Sequence, residues 1–374
     1  MQEPSQTFPI SPPRAWAEVN LSNLRKNHAI ARSHGETMAV LKAGGYGHGI
    51  IHTAKFLEAL PTEERPTFFG VASVIEAREL ANAGILTRIY LLGASSPFER
   101  EEIVARAWTP CISSLTEAKE FDKLTEKSQH NTLAVHLAVD TGMGRGGFLP
   151  DDLLACIEVL RALPHLTFEG IGSHLPSADE DEVFTKAQFE VFNSVVEKLG
   201  KESFRYRHLA NSAGMLGYDG GCTNLYRPGL MLYGISPLPE HQSKLSPVLS
   251  LKSRVSLVRN LPKGHGISYG RETVLDKDTN VATIGIGYGD GYPRDLSMKG
   301  AEVLISGQRC PILGRITMDQ IMVDVSSLEN CASGDEVALF GENILVSEIA
   351  QLAGAIPWSI LTGITPRVTR IYQK

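Results

Sequence analysis

At 374 residues the chain exceeds the usual reach of one hydrophobic core, which predicts two domains, with a barrel of roughly 250 residues as one allowed unit. Hydrophobic residues at 43% and charged residues at 21% are ordinary for a globular protein, and no apolar run approaches the roughly 18 residues of a membrane helix. The net charge of -6, without a long Lys/Arg run, excludes broad nucleic-acid binding and leaves a small molecule as the expected partner.

The opening MQEPSQTFPISPP has neither a basic start nor an apolar h-region, so residues 1–13 read as a flexible extension and the protein is expected in the cytoplasm. Cys111, Cys156, Cys222, Cys310 and Cys331 are odd in number and scattered, without a CxxC pair. That pattern points to reduced thiols, neither a disulfide frame nor a zinc site. From residue 14 to 242, short apolar runs alternate with longer segments of helical period, the mark of repeated βα units. Strands are predicted at Met38–Leu41, Phe68–Val74, Ile89–Leu92, Leu133–Val139, Phe168–Ser173 and Tyr206–Leu209. Helices are predicted through IEARELANAG, LTEAKEFDKLTEK and DEVFTKAQFEVFNSVVEKL.

Polar residues recur at the carboxyl ends of these strands. Lys42 follows AVL, Arg145 follows LAVHLAVDTGMG, His174 ends FEGIGS, and Asn211 with Ser212 ends RYRHLA. In a (β/α)8 barrel those ends converge on the face that carries the active site. Lys42, in AVLKAGGYGHG, sits after an apolar strand that holds the base of its side chain partly dry; desolvation lowers a lysine pKa, and the neutral amine is the nucleophile toward an aldehyde. The glycines after it allow backbone N–H groups to approach an anion. A nucleotide phosphate loop is excluded because its Lys follows the glycines. His48 and His52 stand at i, i+4, but Gly49 occupies the place of a zincin's Glu, so no metal is expected.

Pro237–Ser246, within SPLPEHQSKLS, reads as a linker. Beyond it, SRVSLVRN, NVATIGIGYG, AEVLISG and QIMVDVSS are β-branched runs separated by Gly, Pro and Asp turns, with little helix before SEIAQLAG. Residues 243–374 are therefore predicted as a mostly β domain.

With AVLKAGGYGHG, HLAVDTGMGRGG, FEGIGSHLPSADE, HLANSAG, YRPGLMLYG, ISYG, GYGDGYPR and GRITMDQ in this order from about Trp16 to Arg370, the chain resembles the alanine racemase family. The resemblance implies an N-terminal (β/α)8 TIM barrel carrying pyridoxal 5'-phosphate, a C-terminal β domain, and a homodimer with shared active sites. By motif, Lys42 is the Schiff-base lysine, and Tyr46, Ser212 and the backbone of Gly229 and Leu230 hold the phosphate beside Asn211. Arg227 faces the pyridine nitrogen with His208 next to it, and His174 lies against the ring. Arg145 contacts the phenolic oxygen and the substrate carboxylate in a fork that lysine would not reproduce. Tyr269 is the second catalytic base, given to the other subunit, and Met318 crosses the same interface. Asp179, Tyr288, Arg294 and Arg315 line the entrance.

Two departures from the family pattern stand out. Gly44 and Gly45 replace the Asn and Ala of KANAYGHG, which should loosen the loop after the lysine. Ala138 stands where many members carry a lysine, often carbamylated, that orients the arginine. The implied activity is interconversion of L- and D-alanine, supplying D-alanine for peptidoglycan. Racemisation needs bases on opposite faces of Cα, here Lys42 and Tyr269. A guanidinium at the ring nitrogen disfavours its proton, which suits racemisation better than transamination. The competing readings are a racemase of serine or another small amino acid, a barrel-type amino-acid decarboxylase with an acidic ring-nitrogen partner, and a non-catalytic protein made of the barrel alone.

Overall fold

The computed structural model describes residues 12–374, so nearly all of the expected extension 1–13 lies outside the described residues. The chain divides into two compact units. One is Asn20–Val248; the other is Leu249–Gln373 together with the described residues before Asn20. Strand β1 (Ala15–Asn20) thus belongs to the second unit.

The first unit holds β2 (Glu36–Val40), β3 (Phe68–Val71), β4 (Arg88–Leu91), β5 (Cys111–Ile112), β6 (Leu133–Ala138), β7 (Leu166–Gly172), β8 (Tyr206–His208) and β9 (Leu225–Tyr226). They form two parallel sets, ordered β4-β3-β2-β9 and β5-β6-β7-β8. Backbone bonds continue the pattern between the sets on both sides. Thr109 N reaches Ile89 O (2.9 Å) and Leu91 N reaches Thr109 O (3.0 Å), while Asn224 N bonds Arg207 O (2.9 Å) and Arg227 N bonds Ala210 O (3.1 Å). Strands β5 and β9 are two residues long, too short to leave a pattern in the sequence. The run predicted as Phe68–Val74 stops at Val71 because Ser73 caps the next helix, accepting from Glu76 N.

Helices follow where apolar residues recur behind such caps. Asp181 accepts from Phe184 N at 2.9 Å and starts Glu182–Leu199, whose Thr185, Gln188, Phe189, Phe192, Val195, Val196 and Leu199 are buried at helical spacing. Inside the strands, Met38, Phe68, Tyr90, Cys111, Tyr206 and Leu225 form one buried cluster with a member from each of β2, β3, β4, β5, β8 and β9. Burial of each large apolar member contributes about 1.5–3 kcal/mol.

The stretch read as a linker is packed structure. Pro239–Lys244 forms a 3-10 helix, Leu245 is buried, and Gln242 bonds both Ser236 N (2.9 Å) and Gly234 O (3.0 Å). Asn27, fully buried in helix Leu21–Arg32, accepts from Ser246 N (3.0 Å) and donates to Ser246 O (2.8 Å) and Leu232 O (3.2 Å). Composition marks this segment as polar; the side-chain amide that satisfies both backbone groups of Ser246 comes from a residue 219 positions away.

The second unit adds β10 (Leu249–Leu261), β11 (Gly266–Ile267), β12 (Thr273–Val274), β13 (Thr279–Ile284), β14 (Glu302–Ile305), β15 (Gln308–Leu313), β16 (Ile321–Asp324), β17 (Glu336–Phe340) and β18 (Thr369–Gln373). Eight of its strands run in the order β13-β16-β15-β14-β17-β10-β1-β18, and the long β10 also pairs with β13. A separate hairpin, β11 with β12, carries Tyr269 in its turn. The sequence reading began the barrel at residue 14 and the β domain at 243. The structure corrects both bounds, because β1 pairs antiparallel with β10 from Ala15 opposite Ser253 to Val19 opposite Leu249. A short apolar strand ahead of a helix looks like the start of a βα unit, and only its pairing partner shows otherwise.

Replacing Asn27 with Ala strands three backbone groups of Leu232 and Ser246. Stability should fall by on the order of 2 kcal/mol or more, read as a lower denaturation midpoint; a midpoint equal to the parent's would show that Asn27 does not hold this segment.

Candidate active site

The loop after β2 sets the position of Lys42. Ala43, Gly44, Gly45, Tyr46 and Gly47 have φ of 54°, 63°, 64°, 51° and 81°, a left-handed turn that costs an L residue about 1–2 kcal/mol at each position and glycine almost nothing. Gly44 and Gly45 therefore lower the cost of the turn. The turn is closed by Gly45 N to Leu41 O (2.7 Å), Gly47 N to Ala43 O (3.0 Å) and Gly49 N to Gly44 O (2.8 Å). Glu76 accepts from Ala43 N (2.6 Å) and Ala72 N (2.8 Å). His48 Nδ1 donates to the carbonyls of Tyr46 (2.9 Å) and Gly45 (3.1 Å). This corrects the expectation of a loosened loop, and it gives His48 a role in holding the turn.

Burial lowers the Lys42 pKa, Arg145 adds to the lowering, Glu76 opposes it and Arg227 adds further. The amine is thus shifted toward its nucleophilic form. Tyr46 is buried, stacks on Tyr233 with ring centroids 4.8 Å apart, and has its pKa pushed up to about 12 by burial. Its hydroxyl stays protonated and able to donate. Ser212 Oγ accepts from Gly229 N (3.0 Å) and Met231 N (3.3 Å), and a Cβ on Gly229 would lie 2.7 Å from the Tyr46 hydroxyl. Tyr46, Ser212 and Gly229 therefore meet at one spot, with Leu230 opening the 3-10 turn that follows. Asn211 is committed to structure: its amide accepts from Gly214 N (3.0 Å) and donates to Leu175 O (3.0 Å).

Arg227 is buried. Nη1 donates to His208 Nδ1 (2.6 Å) and His208 O (2.7 Å); Nη2 donates to Ser173 O (2.6 Å), His174 Nδ1 (3.1 Å) and Leu209 O (3.2 Å). Among the described residues its Nε–H has no acceptor and no carboxylate pairs with it. Burial brings its pKa down to about 10, which leaves it charged at neutral pH, while burial and the nearby Arg227, Arg145 and Lys42 push His174 down to about 3. A guanidinium has no lone pair to offer, so both imidazole Nδ1 atoms must accept.

Arg145 is exposed in the loop after β6 and makes no hydrogen bond or ion pair among the described residues. Asp140, in the same loop, accepts from Gly142 N (2.9 Å) and Gly144 N (2.9 Å), so the loop is fixed while the arginine is not. Asp179 is exposed in the turn before helix Glu182–Leu199. Sequence reasoning missed Glu76 and His136. Glu76 looks like an ordinary residue of a helix start, and His136 hides in an apolar strand; the one available signal was the alternation of Gly170 and Gly172 on the neighbouring strand.

In the second unit, Tyr269 is 71% exposed in a turn with φ of 62° at Ser268, 76° at Gly270 and 48° at Arg271. Ser268 Oγ donates to Arg315 O (2.6 Å), Arg315 pairs with Glu272, and a Cβ on Gly270 would meet the Arg315 guanidinium. Tyr288 and Met318 are adjacent, tied by Tyr288 N to Thr317 O (3.0 Å) and Gly289 N to Met318 O (2.8 Å). Buried Asp290 anchors that loop through Gly287 N (3.0 Å) and a fork to Arg14 (3.0 and 2.9 Å). Arg294 opens the 3-10 turn Arg294–Leu296.

Comparison with known proteins gives the same two parts. Residues 19–237 match the alanine racemase N-terminal domain family, and residues 248–372 match the C-terminal domain family. An alanine racemase of Carboxydothermus hydrogenoformans is 41% identical over 96% of this chain and 99% of its own length. One of Methylacidiphilum infernorum is 37% identical over 99% and 95%. Among solved structures, the alanine racemase of Streptomyces lavendulae has a TM-score of 0.87 at 32% identity, covering 98% of both chains. That of Bacillus anthracis with bound L-Ala-P has a TM-score of 0.86 at 32% identity, covering 98% of this chain and 96% of its own.

Because the Glu76 carboxylate raises the Lys42 pKa against the pull of burial and the two arginines, Glu76→Gln should lower it further. Acylation of Lys42 in the cofactor-free protein, followed by peptide mass against pH, should show a midpoint moved to lower pH. A midpoint that stays or rises would mean that Glu76 does not act on the amine.

Proposed function

The chain belongs to the alanine racemase family, isomerases that interconvert L- and D-alanine, and on that premise we propose that it does so with pyridoxal 5'-phosphate on Lys42, opposed by Tyr269 of the partner subunit. The observation that carries the reading is Arg227: a buried guanidinium with both Nη groups committed to five acceptors, its Nε–H unspent, and no carboxylate beside it. The eight parallel strands, bonded on both sides of each set, are read as a (β/α)8 barrel whose carboxyl ends gather these groups.

The donors present fit such a cofactor. Tyr46 and Ser212, with the backbone of Gly229 and Leu230, offer neutral donors for a phosphate beside Asn211, and the unspent Nε–H of Arg227 suits an unprotonated ring nitrogen. His174, held neutral, accepts from that guanidinium through Nδ1 (3.1 Å) and would lie against the cofactor ring. When bound, pyridoxal phosphate acidifies the substrate Cα–H by drawing its electrons into the ring. Lys42, its amine depressed by burial and Arg145, takes or returns the proton on one face; Tyr269 serves the other. Arg145 receives the substrate carboxylate in a bidentate fork, with Met318 beside it. Asp179, Tyr288, Arg294 and Arg315 border the approach, and His208 steadies Arg227. The Arg145 guanidinium pairs with no anion among the described residues, and Ala138 leaves it without the side chain that many family members use to orient it.

The exposure of Tyr269, Tyr288 and Met318 on the second unit supports a dimer, since these are large side chains that a second copy would cover. A cytoplasmic enzyme supplying D-alanine for peptidoglycan agrees with five free cysteines and with the lack of a membrane-length apolar helix among the described residues. The decarboxylase reading is disfavoured because no carboxylate reaches the guanidinium. Serine remains a second substrate to test beside alanine.

Purified protein should show cofactor absorbance and exchange the α-proton of alanine in D2O, with little exchange on larger amino acids. Carbon dioxide release from lysine or ornithine would instead establish a decarboxylase. Tyr269→Phe should cut proton abstraction from L-alanine by about 10²–10⁴ and spare cofactor binding; unimpaired turnover would remove Tyr269 from the mechanism. Refolding Lys42→Ala with Tyr269→Phe chains should restore about a quarter of the activity, since half the dimers are mixed and one of two sites in each is intact. No recovery would refute the sharing of sites.

A further inference from the structure

On β7, Gly170 and Gly172 stand two apart and so share a face. Gly170 pairs in register with His136 on β6, and Gly172 with His208 on β8. A Cβ at Gly170 would lie 2.6 Å from the His136 ring, and one at Gly172 would lie 2.1 Å from the His208 ring. The two bare positions are slots, each filled by the imidazole opposite. His136 and His208 are buried, and His136 Nδ1 lies 2.9 Å from His208 Nε2.

The direction of every proton in this row follows from its end. Arg227 can only donate, so His208 Nδ1 accepts from Nη1; the single His208 proton is then on Nε2 and points at His136 Nδ1. His136 must carry its own proton on Nε2, which has no partner among the described residues. Around it stand Phe68, Tyr90 and Tyr206, ring centroids 5.0–5.7 Å away. A buried N–H without an acceptor is destabilising, so an imidazole is a worse filler for this apolar box than Phe or Leu unless its other nitrogen is used. Burial keeps both imidazoles neutral, with His136 down to about 3.

We propose that His136 is a positioning residue for Arg227: its Nδ1 lone pair accepts the His208 Nε2–H and so anchors the His208 ring in the orientation that keeps its Nδ1 lone pair on Arg227 Nη1 and aims the unspent Nε–H. Without an acceptor at His136, the His208 Nε2–H is left unpaired and the ring loses that anchor, while Arg227 still holds the proton on Nε2. The consequence for catalysis rests on the reading that Arg227 faces the cofactor ring nitrogen.

The test uses the holoenzyme with His136→Phe, which removes the acceptor, and His136→Asn, whose Oδ1 replaces Nδ1. Histidine-labelled protein, cofactor-free and loaded, should show by proton–nitrogen-15 correlation a His208 Nε2–H moved downfield by its hydrogen bond in the parent and in His136→Asn, and moved upfield to the position of an unpaired N–H in His136→Phe. Abortive transamination per racemisation turnover should rise roughly tenfold in His136→Phe and return toward the parent in His136→Asn. His136→Leu, smaller than the imidazole, makes the same test should the Phe variant not fold. Arg227→Leu is the control. If it leaves the partition unchanged, the ring-nitrogen reading falls and the proposal with it. If it raises the partition while His136→Phe does not, or if the His208 Nε2–H signal in His136→Phe stays where it is in the parent, the proposal alone is overturned.

Discussion

A buried cation without a buried anion is the constraint around which the first unit is arranged. Charge taken out of water is tolerated only where dipoles replace the lost hydration. At Arg227 those dipoles are the carbonyls of Ser173, His208 and Leu209 and the Nδ1 lone pairs of His174 and His208. Three of the five acceptors are backbone atoms at the ends of β7 and β8, so the guanidinium is held by the strands themselves. Burial first, and then its charge, keep both imidazoles neutral and able to accept.

That same field reaches Lys42. Arg145 and Arg227 both depress the amine, burial adds more, and Glu76 pulls the other way while holding the backbone of the next residue. The left-handed turn from Ala43 to Gly47 brings the Tyr46 hydroxyl to Gly229, so one local conformation sets both the start of that turn at Lys42 and the place of that hydroxyl. Glycine at 44 and 45 makes that conformation cheap. Ala43 and Tyr46 adopt it at a cost that the hydrogen bonds of Glu76 and His48 offset.

The second unit solves a different problem, that of presenting side chains outward without letting them wander. Tyr269 projects from a hairpin turn whose backbone is held by Ser268 on Arg315 and by the Arg315–Glu272 pair. Tyr288 and Met318 are joined by backbone bonds, and Asp290, buried between Arg14 and Arg367, secures the loop below them. Exposed aromatic residues on a rigid, ion-paired frame are what a shared site would require of the subunit that lends them.

Lys42, with its apolar strand and glycine loop, was legible in the sequence as a desolvated amine, as were the two-part organisation, the alternation of strands and helices, and the β character after residue 249. These rest on local chemistry: periodicity, turn residues and the neighbours of one side chain. Tertiary structure alone decided that Ala15–Asn20 joins β10, because a strand's partner is not encoded in its own pattern. It also decided that Gly44 and Gly45 lower the cost of a hydrogen-bonded left-handed turn, since a glycine's effect depends on the φ it must adopt. The His136–His208–Arg227 row belongs to the same class. Its members lie on different strands, up to 91 positions apart in the chain, and the direction of its protons is set by a guanidinium that only folding brings within reach.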